Sequence, residues 1–263
     1  MFGQAFNVSL GEALRRYDGM AVGALSLTTL AAAAYTVLGI GMDMSAWEMT
    51  AMPRDMPMPV HVWTVVDALM MFLMWWIMMI AMMLPSAAPM ILLYTRVGQR
   101  RARHLNPPFP GYFCAGYLIM WGAFSLAVTV IHGIGEQVQL VNGMMAISGT
   151  WLAATVFFVA GVWQFLPVKA RCLDACRQPI AFLSKIWVSG RIGALQMGLR
   201  HGLFCVGCCW AMMLLLFVGG VMNLYWIAGL AVLVLVEKIA SGWQFTPYAL
   251  GGGFMLMGVL MLV

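Results

Sequence analysis

The sequence predicts an all-α protein, a polytopic transmembrane bundle of about seven helices, from its composition and its apolar runs. Of its 263 residues, 63% are hydrophobic and only 9% are charged, whereas soluble domains carry about 25% charged residues. The chain contains seven apolar runs, each close to the roughly 20 residues that a helix needs to cross a bilayer. One soluble core of this size cannot bury so much apolar surface, so the composition excludes an ordinary soluble protein and a disordered one.

The seven runs follow one another with short connections. They lie at residues 20–42, 64–94, 111–134, 148–168, 202–222, 224–241 and 245–263. The first run is longer than the core of a cleaved signal peptide, so we interpret it as a retained helix. The longest connections, 43–63 and 169–201, are too short for an independent soluble domain. Residues 1–263 are therefore expected to form a single transmembrane domain.

The basic residues predict the orientation of the bundle. With an odd number of spans, one side carries Arg15, Arg16, Arg96, Arg100, Arg101, Arg103, Lys169, Arg171, Arg177, Lys185, Arg191, Arg200 and Lys238. Only Arg54 falls on the other side. Cytoplasmic loops carry the excess of Lys and Arg, which places the N-terminus in the cytoplasm and the C-terminus outside. The pattern is that of a multi-pass protein of an inner (cytoplasmic) membrane, with the lipid bilayer around it.

Three further expectations follow from this charge distribution. The net charge of +5 is a topology signal and does not indicate nucleic-acid binding, because the basic loops are short and flank membrane spans. Lys238 is expected to extend to the inner membrane surface. Glu237, beside it, is expected to pair with Lys238 or with Arg200.

All six cysteines fall toward the predicted cytoplasmic side. They are Cys114, Cys172, Cys176, Cys205, Cys208 and Cys209. Thiols in that compartment stay reduced, which argues against disulfides and leaves sulfur free to bind a soft metal.

The fifth run arranges several of these cysteines on one helical face. At about 100° per residue, a narrow stripe is formed by His201, Cys205, Cys208 and Met212, with Cys209 just off it. Soft sulfur ligands beside an imidazole suit Cu(I) or Zn(II). Cys172 and Cys176, in the preceding connection, either complete this site or lie apart from it. The alternative is that the cysteines pack as small hydrophobic residues.

The methionine content is the second feature that indicates a soft metal, because the chain has 26 methionines. On the second run, one helical face carries Asp67, Met71, Met74, Met78 and Met82. A methionine face is also an effective gap filler, so packing remains an equal alternative for this stripe.

The predicted outer loop is also rich in methionine. Its candidate ligands are Met42, Met44, Met56, Met58 and His61. Exposed methionine is not needed for packing, and thioethers select Cu(I). The alternative is that this loop folds back over the bundle as a lid.

The second run also contains a candidate gate. Its roughly 31 residues would span about 46 Å, well beyond the ~30 Å hydrocarbon layer. Pro85 and Pro89 interrupt its backbone hydrogen bonding and predict a kink at the level of the helical cysteines. A gate and a simple kink are equally compatible with this pattern.

Two long motifs resemble those of a known bacterial family. They are Met78–Met90, MMIAMMLPSAAPM, and Gly198–Met212, GLRHGLFCVGCCWAM. With the linking segments 164–172 and 220–223, the chain resembles the DUF2182 family, predicted metal-binding integral membrane proteins, over about residues 64–241. The resemblance implies a membrane protein that binds metal, without an established reaction, and it leaves out the loop 42–58.

The predicted function is binding of a soft metal, with Cu(I) favoured and zinc as the second candidate. The metal would pass across the membrane or to a partner such as a copper chaperone. One alternative is an accessory or assembly subunit of a membrane metalloenzyme complex. The other is a membrane thiol oxidoreductase using Cys205 and Cys208, which the cytoplasmic position of the thiols disfavours. A role other than catalysis is therefore favoured, and no catalytic residue is assigned.

Overall fold

The described part of the chain is all-helical, as predicted. The computed structural model describes residues 18–41, 44–53, 63–101, 109–239 and 245–263. Their helices are α1 (Asp18–Leu38), α2 (Ala46–Ala51), α3 (Val65–Arg101), α4 (Pro110–Gln137), α5 (Thr150–Phe165), α6 (Pro167–Arg177), α7 (Pro179–Ile186), α8 (Gly190–Leu214), α9 (Leu216–Gly219), α10 (Leu224–Ile239) and α11 (Thr246–Leu260). Within these ranges β-structure is limited to one isolated bridge between Val141 and Ile147.

Several of these helices suit a bilayer. Four segments are long and apolar enough to cross it, and they are Ala21–Leu38, Val65–Gly98, Pro110–Gln137 and Gly190–Gly219. The pair α5 and α6 is a fifth candidate, bent by 68° between its halves. Helices α10 and α11 have 16 and 15 residues. The fold is thus that of a helical protein with four or five membrane-crossing candidates, and the number of seven and the orientation stay predictions.

Helix α8 lies at the centre of the packing. It contacts α4, α5 and α6, while α3 packs against α1 and α4, and α11 packs against α5. Helix α10 lies across α3, α6 and α8. The structure corrects the predicted start of this span, because α8 begins at Gly190 and not at residue 202. Cys205 therefore lies about 22 Å from the start of α8, at 1.5 Å per residue, and not at the start of its helix as predicted.

Glycines bring α4 and α8 into backbone contact. A Cβ at Gly198 would overlap the carbonyl oxygen of Phe113, and a Cβ at Gly116 would lie 2.7 Å from the amide nitrogen of Leu199. Only glycine permits such an approach, as at close crossings of membrane helices. The contact places the side chain of Tyr117 directly beside the cysteines of α8.

Helix α3 continues through both of its prolines. It runs unbroken for 37 residues with Pro85 and Pro89 inside it, a length of about 55 Å. Both proline side chains lie on the exposed surface of the helix. Between them, the Ser86 hydroxyl donates a 2.8 Å hydrogen bond to the carbonyl oxygen of Met83. A gate at these prolines stays a prediction.

Candidate metal centre

Four thiols from two helices meet beside α4, and we call Cys176, Cys205, Cys208 and Cys209 the thiol cluster. Cys205, Cys208 and Cys209 share about one turn of α8, and Cys176 on α6 is close enough to Cys205 and Cys208 to interact with them electrostatically. The three cysteines of α8 are each at most 1% exposed, whereas Cys176 is half-buried. The structure thus joins a cysteine of the predicted inner connection to those of the helical stripe.

A lysine lies against the central thiol. The ammonium of Lys238 donates to the sulfur of Cys205 over 2.9 Å and to the hydroxyl of Ser86 over 2.9 Å. The Tyr117 hydroxyl lies 3.2 Å from the same sulfur and donates to the carbonyl oxygen of Met83. Lys238 is only 7% exposed, so its predicted extension to the membrane surface is wrong. The cause is tertiary, since Ser86 and Cys205 provide the polar partners that make burial of the ammonium tolerable.

The neighbouring carboxylate has a different partner from the predicted ones. Glu237 forms a 2.5 Å ion pair with Lys169, and both side chains are at most 1% exposed. Gln164 accepts a second hydrogen bond from Lys169, and Arg177 donates to the carbonyl oxygen of Glu237. Pairing of Glu237 with Lys238 or Arg200 is therefore wrong. The bend between α5 and α6 brings Lys169 to α10, which helical periodicity alone cannot indicate.

His201 is buried without a hydrogen-bond partner. It is 2% exposed and stacks on Tyr117 at 5.5 Å between ring centroids, with Phe113 and Phe182 at 6.0 and 5.7 Å. Within the described part of the chain, neither ring nitrogen has a hydrogen-bond partner. An unsatisfied buried polar group is costly and is explained by strain, by chemistry or by an ion or water that pairs with it. This imidazole lies one helical turn before Cys205.

The thiols are not arranged around a common point as they stand. Among the residues that the structure describes, no three His, Cys, Asp or Glu side chains are grouped so as to hold a metal ion. The thiols of Cys208 and Cys209 instead donate to the backbone carbonyl oxygen of Cys205, over 3.1 and 2.9 Å. Shared ligation therefore requires these side chains to rotate away from their own helix.

Comparison with known families supplies a relation to copper. Residues 72–261, most of the chain, match the PpoB2 family, which is described as copper chaperone. The chain belongs to the PpoB2 family. The PpoB2 match overlaps most of the segment 64–241 but does not carry the name of the family that the two motifs resemble. No curated protein and no solved structure matches the chain.

The PpoB2 match includes the whole thiol cluster together with His201 and Lys238. It also includes Cys172 and Met212, two further predicted ligands. Cys172 is half-buried. It packs against Gly207, where an added Cβ would lie 2.9 Å from the Cys172 sulfur. Met212 is 1% exposed. Their roles as ligands stay predictions.

The methionine stripe of α3 faces the interior over most of its length. Met74, Met78 and Met82 are at most 4% exposed, while Met71 is half-buried. The carboxylate of Asp67 accepts hydrogen bonds from the backbone and hydroxyl of Thr64, which caps the start of α3. Asp67 and Met71 precede the PpoB2 match, so the match covers only the buried part of the stripe.

Two further methionines of α3, which lie outside the predicted stripe, are also buried. Met79 and Met83 are 0% exposed, and the sulfur of Met83 lies 4.0 Å from that of Cys209. Because α3 packs on several helices, it buries two adjacent faces, whereas a single stripe anticipates one.

The predicted outer loop is described only in part. Met42, Met56, Met58 and His61 lie outside the described residues. Met44 is half-buried and precedes α2, where the backbone and hydroxyl of Ser45 hydrogen-bond Glu48 and lower the pKa of its carboxyl. The hydroxyl of Thr50 reaches the backbone at the start of α10. The described part of the loop thus packs on the bundle, as the lid alternative requires.

Proposed function

We propose that the protein binds Cu(I) within the membrane at the thiol cluster and His201, and hands it to a partner. The observation that carries the proposal is the buried imidazole of His201, whose ring nitrogens have no partner among the described residues. It lies one turn from Cys205, the thiol that Tyr117 and Lys238 contact. Thiolates and imidazole are ligands that Cu(I) accepts. Membership of a copper chaperone family supports the same metal.

Cys205 and Cys208 are the proposed principal ligands, with Cys176, Cys209 and His201 able to join them. Zinc is the rival metal, since it binds tetrahedral sets of cysteine and histidine. In the proposed site, the rotations that free Cys208 and Cys209 accompany metal binding. The two half-buried thiols, Cys172 and Cys176, both lie on α6. We therefore assign this helix as the side of the site where copper is exchanged with a partner.

The binding proposal predicts that the purified protein holds Cu(I) and that His201→Phe weakens the complex. Phenylalanine keeps the ring that stacks on Tyr117, so the fold should persist while a nitrogen ligand is lost. We expect an affinity loss of at least about tenfold, the loss typical even of a residue that only orients a ligand. Competition with a Cu(I) chelator, in detergent and under reducing conditions, measures it.

Two results would contradict this proposal in different ways. A wild-type protein that retains zinc but no copper would overturn the metal assignment. Equal affinity of wild type and His201→Phe would remove His201 from the ligand set. Co-purification with a larger complex at fixed stoichiometry would favour the accessory-subunit alternative.

Transport along α3 is a separate prediction. We propose that Met74, Met78 and Met82 carry Cu(I) through the bundle toward the thiol cluster, because they are buried and weakly coordinating. Substituting all three by leucine conserves volume and should cost little stability. Copper flux into vesicles of known orientation should fall by about tenfold, whereas equilibrium binding by the thiols should persist.

A matched control is available for this flux measurement. Met70 and Met257 are 40% and 42% exposed, so Met70→Leu/Met257→Leu should leave the flux unchanged. If the triple leucine variant transports as well as wild type, the methionines serve packing alone. If the wild type shows no protein-dependent flux, transport is refuted and the binding proposal stands separately.

A further inference from the structure

We propose that Lys238 is the counterion of the buried copper–thiolate complex and so determines how many thiolates hold the metal. The inference rests on the proposed Cu(I) function and adds a residue that is not itself a ligand, since an ammonium has no lone pair to donate. Its basis is the placement of the Lys238 nitrogen, 2.9 Å from the Cys205 sulfur.

Among the described residues, the ammonium of Lys238 contacts a sulfur and a hydroxyl and forms no ion pair with a carboxylate. The adjacent Glu237 is engaged by Lys169 at 2.5 Å. The Lys238 nitrogen instead lies 2.9 Å from the Cys205 sulfur and 2.9 Å from the Ser86 hydroxyl. A positive charge therefore lies against the sulfur of a proposed metal ligand.

The α3 turn that contains the prolines holds this lysine in place. The hydroxyl of Ser86 accepts a 2.9 Å hydrogen bond from Lys238 and donates its own proton to the carbonyl oxygen of Met83. Both Ser86 and Cys205 are thus contacted by one ammonium, which bridges α3 and α8 from its position on α10. The bridge fixes the charge at the edge of the cluster.

The positive charge of Lys238 determines whether a complex of Cu(I) with two thiolates is neutral overall. Cu(I) on two thiolates carries a net charge of minus one, and a buried uncompensated charge is strongly disfavoured. The ammonium of Lys238 brings the total to zero. Without it, a neutral complex requires Cu(I) to give up one thiolate and to keep a single thiolate together with the uncharged imidazole of His201.

The test compares Lys238→Met with Lys238→Arg in the full-length protein. The methionine variant should bind Cu(I) at least about tenfold more weakly, equivalent to about 1.4 kcal/mol. X-ray absorption of its copper should show one sulfur fewer than in the wild type, with the nitrogen ligand retained. The arginine variant keeps the charge and should remain within about threefold of wild type, with wild-type coordination. If Lys238→Met does not fold, Lys238→Gln removes the charge while keeping a donor for Ser86.

The outcomes separate this inference from the function on which it rests. Wild-type protein that binds no copper would overturn the proposed function. Wild type that binds copper, with an uncharged Lys238 variant of equal affinity and coordination, would overturn only the counterion role. An arginine variant as weak as the methionine variant would also overturn it, because charge would then not be the determining property.

Discussion

A Cys205→Ser variant is expected to bind Cu(I) at least about a hundredfold more weakly than wild type, or roughly 2.7 kcal/mol. In the described structure, Cys205 is the thiol that both Lys238 and Tyr117 contact, at 2.9 and 3.2 Å. Serine preserves the shape and the hydrogen bonding of the side chain. Its hard oxygen does not replace a thiolate as a ligand for Cu(I).

The measurement is competition with a Cu(I) chelator, combined with metal analysis of protein purified under reducing conditions. Cys114→Ser is the matched control, because Cys114 is a half-buried free thiol on α4 outside the thiol cluster. It should bind copper as wild type does. Adding Cys208→Ser to Cys205→Ser should lower binding little further, since the central ligand is already lost. Wild-type affinity in Cys205→Ser would end the assignment of the thiol cluster as the copper site.

A Gly198→Ala variant is expected to be destabilised by about 3 kcal/mol or more. The added Cβ would overlap the carbonyl oxygen of Phe113 and lie 2.9 Å from its carbonyl carbon. The obstacle is backbone, so no side-chain rotation can relieve it. Separation of α4 from α8 would also move Tyr117 away from Cys205, so copper binding should decline together with stability.

Thermal unfolding in detergent, followed by circular dichroism, checks this expectation. The control is Gly229→Ala on α10, where a Cβ would meet nothing within 4 Å. Alanine is the better helix former by up to about 1 kcal/mol, so this variant should be as stable as wild type or more stable. Equal unfolding temperatures for Gly198→Ala and wild type would contradict the close contact of the two helices.

Features that depend on one helix alone were predictable from the sequence. The angular positions of His201, Cys205, Cys208 and Met212 follow from about 100° per residue, and all four are buried. The inward direction of Met74, Met78 and Met82 follows in the same way. The start of α8 was harder to predict, because residues 190–201 include arginines and a glutamine, which end an apolar run without ending the helix.

Features that depend on contacts between distant segments were not predictable. Cys176 lies near the other thiols because α6 turns by 68° from α5. The same turn brings Lys169 into an ion pair with Glu237. Hydropathy places a lone lysine at the membrane surface because burial of a charge is costly. Only the packed structure supplies Ser86 and Cys205 as partners for Lys238.

By itself, the sequence determined a helical, strongly apolar chain whose sulfur residues concentrate on particular helical faces. Composition and periodicity are local properties, and they suffice for these conclusions. The tertiary structure alone decided which sulfur atoms meet, which lysine lies among them and which imidazole is left unpaired. Those relations arise when helices far apart in the chain pack together, because desolvation then makes each buried polar group depend on its neighbours.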